Sequence, residues 1–523
     1  MIVHMDNPTP PTSDACYLAL KARDARFDGC FFTGVTSTGI YCRPVCRVRT
    51  PKQENCRFFT LAAQAEQAGF RPCLRCRPEL APRHAPGQPA GQTWSMQDAS
   101  AMLAVQAADL MDAPHTLGGP ALTVRHVAQR LGISDRHLRR IFEAQFGVSP
   151  LPYLQTRRLL CAKQLLTDTP LAVSQVAEVS GFASLRRFNA AFATHYGLNP
   201  TQLRRTSTHP HGPFKNDGVH VKLAYRPPYD VAAMLQFFET RQLAGLEVVN
   251  SNAAGLQIGK TVALSNGSQR VSGWLLASFD ETRCVVNLQV SEALCHLLPT
   301  VMARARAWLD LDADPQAIHE VLQPHFPAGM GLRVPGTLDG FELAVRAVLG
   351  QQITVAAART LANRLVAQFG EALTTPVEGL NRLFPTPQAL AAATGDALGS
   401  LGIVKQRQAA IRALAQAVVS DQLCLEPGVE IRTALTQLQA LPGIGEWTAH
   451  YIAMRALRWP DAFLAGDVAL HKALGLQGTP HPAKAAQAAS LAWQPWRSYA
   501  VIRAWATLAA PTKDSQPVNT LSN

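Results

Sequence analysis

No apolar run in this chain of 523 residues approaches the roughly 18 residues that a membrane-spanning helix needs. The opening, Met1 to Pro11, is polar and Pro-rich and lacks the basic-plus-apolar leader of an exported protein. Both absences argue for a soluble, unexported protein without a membrane partner. Acidic residues are scarce where basic ones gather. Residues 16–85 hold 12 Lys and Arg against 5 Asp and Glu, and residues 120–207 hold 12 against 4. Those stretches carry +7 and +8 of a total of +12, so the remainder is slightly acidic. A basic excess concentrated in two blocks points to a polyanion partner. The length also exceeds one core; at ~100–200 residues per domain it suggests about three to five units.

Eleven cysteines is an odd count, and in a chain that is not exported it favours metal over disulfides. Cys42, Cys46, Cys73 and Cys76 read C-x3-C, a long gap, then C-x2-C. At those spacings each pair can reach one tetrahedral ion, so a single zinc is expected. Cys16, Cys30 and Cys56 have no partner spacing. Arg43, Arg47, Arg49, Arg71, Arg75 and Arg77 interleave the ligands, and their guanidinium groups suit phosphate.

Residues 28–80, with both cysteine pairs and the segment TGIYCRP, resemble the N-terminal zinc domain of the Ada adaptive-response protein. The resemblance implies that Cys42 also accepts a methyl group from a DNA phosphotriester, irreversibly. A four-thiolate zinc site is anionic and electron-rich, and methylation removes one negative charge, which eases repulsion from DNA. A purely structural zinc site is the alternative.

Two composition breaks, Ala81 to Gln92 and Thr206 to Gly218, are rich in Pro, Gly and polar residues and read as flexible linkers. Between them a unit repeats: a short helix, Gly132 or Gly181, then a longer helix capped by Ser134 or Ser184. These units, 121–146 and 172–196, resemble the tandem helix-turn-helix domain of the AraC family. A recognition helix places its N-terminal residues at base edges. The candidates are Ser134, Arg136, His137 and Arg140, then Ser184, Arg186, Arg187 and Asn189.

From Val219 apolar alternation, as in VHVKLAY, LQIGKTVAL and RCVVNLQV, predicts strands to about residue 295, and helical periodicity returns from Leu297. LPGIGEWTAHYIA, residues 441–453, reads as a helix–hairpin–helix whose Gly443 and Gly445 let backbone amides approach a DNA phosphate. Asp467 follows in DAFLAGDVALHKAL, where an acid also suits a helix N-cap.

The hairpin, that Asp and the stretches FELAVRAVLGQQITVAAA and WQPWRSYAVIRAW resemble the AlkA-type 3-methyladenine DNA glycosylases across residues 219–510. The resemblance implies base flipping, Asp467 as catalytic carboxylate, and Trp447, Tyr451, Trp505 and Gln352 around the base pocket. Bifunctional relatives have a lysine nucleophile where Trp447 stands, so no lyase step is expected. No cysteine follows Cys424, so no iron–sulfur cluster is expected either. A nucleotide cofactor is not expected. Gly466 and Val468 beside the aspartate, and Gln352 where some members insert a leucine, depart from the family pattern. The Pro-Cys-His-Arg motif of the Ada methyltransferase half is missing.

The expected architecture is a multidomain α+β chain. A small four-cysteine zinc module (16–80) and a linker (81–97) precede an all-α tandem helix-turn-helix domain (98–206). After a second linker (207–218) come an α/β N-terminal glycosylase subdomain (219–296), an all-α helix–hairpin–helix core (297–510) and a tail (511–523). The function implied is excision of alkylated purines joined to methyl sensing and transcription regulation. The expected partners are double-stranded DNA, at damage and at a promoter operator, and RNA polymerase, in a bacterial-type cytoplasm on the nucleoid. The alternative is a transcription activator whose glycosylase half is inactive.

Overall fold

The computed structural model describes residues 12–83, 96–112, 122–206, 218–252, 255–266, 269–426 and 428–509. Most of both linkers and the tail from 511 lie outside these residues. Among the described residues no helix is long and apolar enough to cross a membrane.

Residues 12–83 are built on a four-stranded sheet ordered Cys56–Phe59, Phe32–Val35, Ile40–Cys42, Arg71–Pro72. Tyr41 pairs with Pro72, so the strand ending at Cys42 lies beside the segment that leads into Cys73. Sheet pairing thereby closes the long gap between the two cysteine pairs.

Both helix-turn-helix units form as their sequence suggests. Gly132 (φ +67°) and Gly181 (φ +80°) take the left-handed conformation that ends each first helix. The Ser134 hydroxyl accepts from His137 N and the Ser184 hydroxyl from Arg187 N, both at 3.2 Å, starting helices Asp135–Phe146 and Leu185–Tyr196. Their apolar faces, Leu138, Ile141 and Phe142 in one and Phe188, Phe192 and Tyr196 in the other, are buried.

The glycosylase half begins with a five-stranded antiparallel sheet ordered Val219–Ala224, Val285–Val290, Gln269–Asp280, Gly255–Asn266, Glu247–Asn252. Helix Val231–Glu239 interrupts the stretch read as strands. Helix Leu298–Trp308 buries Leu298, Val301 and Trp308 in the core of that sheet. The passage to the separate helical core, where Phe341, Ala362 and Ile452 meet, therefore falls after this helix rather than at residue 297. Lys260, Glu247, Glu342 and Arg346 lock the sheet to helix Gly340–Leu349, with Lys260 at 2.6 and 2.7 Å and Arg346 at 2.9 and 2.8 Å from the two glutamates. Three buried charges and the half-buried Arg346 are tolerable there because each meets two of opposite sign.

The described residues show no loose string of modules. Helix Pro150–Asp168 is the hub: Lys163 pairs with Glu79 of the zinc module, and Gln164 donates to Lys222 O of the sheet at 2.9 Å. Leu159, Leu165, Phe188 and Phe192 share one apolar core with Val219, Val221 and Leu288. The first residues of the expected linker are also pinned. Arg226, fully buried, donates to Asp28 O (2.8 Å), Arg83 O (2.9 Å) and Asp312 O (2.8 Å). Helix Met96–Asp112 begins inside the segment read as the linker 81–97.

Candidate active site and metal centre

The sulfur atoms of Cys42, Cys46, Cys73 and Cys76 lie within 4.8 Å of one another. Four thiols this close cannot hold ordinary acidities. Hydrogen bonding from Cys42, Cys46 and Cys76 pulls Cys73 far down, while Cys46 and Cys73 push Cys42 up. A divalent cation at their centre removes that conflict by taking all four as thiolates, which is the donor set zinc prefers. Cys42 is only 6% exposed, and Cys76 is the most open of the four.

The arginines around the cluster divide. Arg47, Arg49, Arg71 and Arg75 are exposed. Arg43 is not: its guanidinium pairs with buried Asp28 and donates to Cys76 O at 3.1 Å. Arg77 is turned inward to Glu79 (2.9 Å) and Asp168 (2.6 Å). The expectation that these two face phosphate is corrected by their carboxylate partners, which hold them inside the fold. On the recognition helices Arg136, Arg140, Arg186, Arg187 and Asn189 are exposed, with Ser134 and Ser184 spent on capping.

At the hairpin, Gly443 (φ +77°) needs glycine for its backbone, and a Cβ there would meet Ala410 Cβ at 3.0 Å. Gly445 is extended and opens to free space, as the N-cap of helix Glu446–Arg455. The preceding hairpin helix is Ile431–Gln439. Gln352 is exposed with φ +53°, an uncommon conformation for a residue with a Cβ. Its neighbour Gln351 ties that loop to the hairpin, donating to Gly443 O at 2.9 Å and Thr448 Oγ1 at 3.0 Å.

Asp467 caps helix Val468–Ala473, its Oδ1 accepting from Leu470 N at 2.6 Å. Two indoles complete its surroundings. Trp505 donates from Nε1 to Oδ1, and Trp447 from Nε1 to Oδ2, each at 3.0 Å. The carboxylate that caps the helix is thus also the one the two indoles hold. Trp447 stacks on Tyr451 with centroids 5.2 Å apart and planes 10° from parallel. The structure therefore brings together Asp467, Trp447, Trp505 and Tyr451, and sets Gln352 beside the hairpin.

Residues that sequence reasoning missed stand behind this wall. Arg455 donates to the Tyr451 hydroxyl at 2.6 Å, and the guanidinium groups of Arg241 and Arg455 stand 3.8 and 4.8 Å from the centroid of the Phe237 ring. His471 Nε2 meets Ala465 O at 2.7 Å and shapes the turn into Asp467. The i, i+4 spacing of Tyr451 and Arg455 was a visible signal; no local pattern announced Phe237.

A four-cysteine cluster, paired recognition helices and a hairpin body with one central carboxylate define the class: a helix–hairpin–helix protein carrying an Ada-type metal module and an AraC-type regulator domain. Residues 15–79 match the metal binding domain of Ada, 127–206 a helix-turn-helix domain, 220–339 the AlkA N-terminal domain, and 345–498 the HhH-GPD superfamily base excision DNA repair protein. A probable bifunctional transcriptional activator/DNA repair enzyme AlkA of Mycobacterium tuberculosis is 37% identical over 96% of this chain and 98% of its own length. The DNA-3-methyladenine glycosylase 2 of Escherichia coli is 34% identical over 54% of this chain and 96% of its own. The bifunctional transcriptional activator/DNA repair enzyme Ada of the same organism is 33% identical over 38% of this chain, which spans about half (51%) of that protein. The chain belongs to the family of AlkA-type bifunctional transcriptional activator/DNA repair enzymes.

Proposed function

We propose that this protein excises alkylated purines of the 3-methyladenine type from duplex DNA by hydrolysis, and that it joins this activity to methyl sensing at Cys42 and to transcription regulation. The observation that carries the reading is the Asp467 carboxylate, held on both oxygens by the indole N–H groups of Trp447 and Trp505.

Alkylation at N3 or N7 makes a purine cationic and already a good leaving group. The protein need supply little acid catalysis; it must stabilise the cationic sugar as the C1′–N bond breaks. A fixed carboxylate does that and orients the attacking water. Trp447 and Trp505 hold it in place with neutral donors, so its charge is left for the sugar. Aromatic faces suit the cationic base, at ~0.5–2 kcal/mol for each cation–π contact. Trp447 occupies the position where a lyase would need lysine, which supports a monofunctional reaction.

Cys42, Cys46, Cys73 and Cys76 would hold one zinc ion, which keeps their sulfurs deprotonated at neutral pH. The Ada match over residues 15–79 supports Cys42 as the methyl acceptor. Exposed Arg47, Arg49 and Arg75 on this module, Arg136, Arg140, Arg186 and Arg187 on the recognition helices, and the hairpin at Gly443 and Gly445 are the surfaces that would meet DNA. The partners are then damaged duplex and a promoter operator, with RNA polymerase engaged as for an activator, on the nucleoid in the cytoplasm.

An activator with a silent glycosylase half is opposed by the full set of donors around Asp467, because a scaffold gains nothing from an acid that repels DNA. Single-turnover release of 3-methyladenine from methylated duplex separates the readings. Base release by the intact chain, reduced roughly a hundredfold or more in Asp467→Asn, is expected. No release by folded, DNA-binding protein would leave the regulator reading standing.

A further inference from the structure

The hairpin's second helix ends on a buried cation that the excision chemistry does not use. Arg455 is 6% exposed, and among the described residues no carboxylate pairs with it. Its Nε donates to Pro335 O at 2.7 Å and its Nη2 to Gly336 O at 3.2 Å, which anchors the guanidinium to main chain of the segment entering the helical body. Its Nη1 donates to the Tyr451 hydroxyl at 2.6 Å. The ring of Phe237, from the sheet-bearing subdomain, packs against the same guanidinium.

Burying a charge without a counter-charge is costly, and hydrogen bonds to main-chain oxygens offset only part of that cost. An arginine placed so has a task other than filling space. Its placement supplies one. Tyr451 lies flat on Trp447, and Trp447 holds Oδ2 of Asp467. Three contacts therefore run from fixed main chain to the carboxylate: guanidinium to phenol, phenol to indole by stacking, indole N–H to carboxylate. Burial would push the Tyr451 phenol up, but Arg455, Arg241 and Arg346 beside it hold it below its ordinary value. The polar end of the aromatic wall is thus tied to cations of two subdomains.

We propose that Arg455 is a positioning residue for base excision, fixing the Tyr451 hydroxyl and, through the Tyr451–Trp447 stack, the indole that holds Asp467. This rests on the excision reading above. It makes the pocket a joint product of both glycosylase subdomains, since Arg455 is itself held between Phe237 and the Pro335–Gly336 backbone.

The test is a double-mutant cycle on the full chain, read as the single-turnover rate and half-saturating enzyme concentration for 3-methyladenine release. Tyr451→Phe keeps the stack and removes only the hydroxyl. Arg455→Met keeps the bulk and removes the donor. Each is expected to slow release about tenfold with half-saturation little changed, and the double variant to be no slower than the worse single one. Arg455→Lys, which can still donate to the hydroxyl, is expected to recover part of the rate. Losses that multiply in the double variant, or a Tyr451→Phe protein as fast as the original, would overturn the proposal while leaving the excision reading intact. Silence of the unmutated chain overturns both. Should Arg455→Met fail to fold, Tyr451→Phe and Arg455→Lys still decide.

Discussion

The two candidate centres hold negative charge in opposite ways. At the zinc module four acidic sulfurs converge within 4.8 Å, and only a cation brought from outside reconciles them. At Asp467 a single carboxylate meets three N–H donors, all neutral and all from the fold itself. The first centre organises the polypeptide around an ion; the second is organised by helices that pack for their own reasons. One should fail when its ion is taken away, the other when a single donor is removed.

Zinc removal draws that contrast most sharply. Binding of a structural zinc is worth ~10–16 kcal/mol, much of it folding energy. Chelation is expected to unfold residues 12–83, seen as protease cleavage within them, while base release continues. Loss of both together would break the comparison and show that the centres share one folding unit. A smaller effect is expected where the module docks. Lys163 is 1% exposed and pairs with Glu79, whose pKa Lys163 and Arg77 hold below the ordinary carboxylate value despite burial. Lys163→Met leaves Glu79 with Arg77 alone and should cost about 3–5 kcal/mol of stability in denaturant unfolding, as breaking a buried pair does. The smallest effect sharpens the second centre. Trp505→Phe keeps an aromatic ring and deletes one hydrogen bond to a charged group, worth ~1.5 kcal/mol, so base release should slow about tenfold at unchanged zinc content. An unaltered rate would mean that Trp447 and the Leu470 amide suffice to hold the carboxylate.

Legibility followed distance along the chain. The cysteine pairs, the serine caps at Ser134 and Ser184, and the left-handed glycines at Gly132, Gly181 and Gly443 each belong to a few consecutive residues, and the structure shows the geometry their spacing suggests. Asp467 stood out as an acid after the hairpin, but not the identity of its donors, which come from 20 and 38 residues away. Arg43 misled for the same reason. Beside a cysteine ligand an arginine looks like a phosphate contact, whereas Asp28, fifteen residues earlier, claims it inside the fold. The linkers misled differently: composition marks where a chain can bend, and says nothing of whether the segments on either side bury surface against each other, as helix Pro150–Asp168 and strand Val219–Ala224 do.

The sequence by itself determined the list of modules, the metal-binding chemistry of four cysteines and the presence of a hairpin followed by an acid, because each depends on residue types at fixed local spacing. Only the tertiary structure decided that the modules share cores, that Arg226 and Lys163 staple them, and that Arg455 stands behind the aromatic wall of Asp467. Those are meetings of side chains far apart in sequence, and burial chooses them by shape and by the need of every buried charge for a partner.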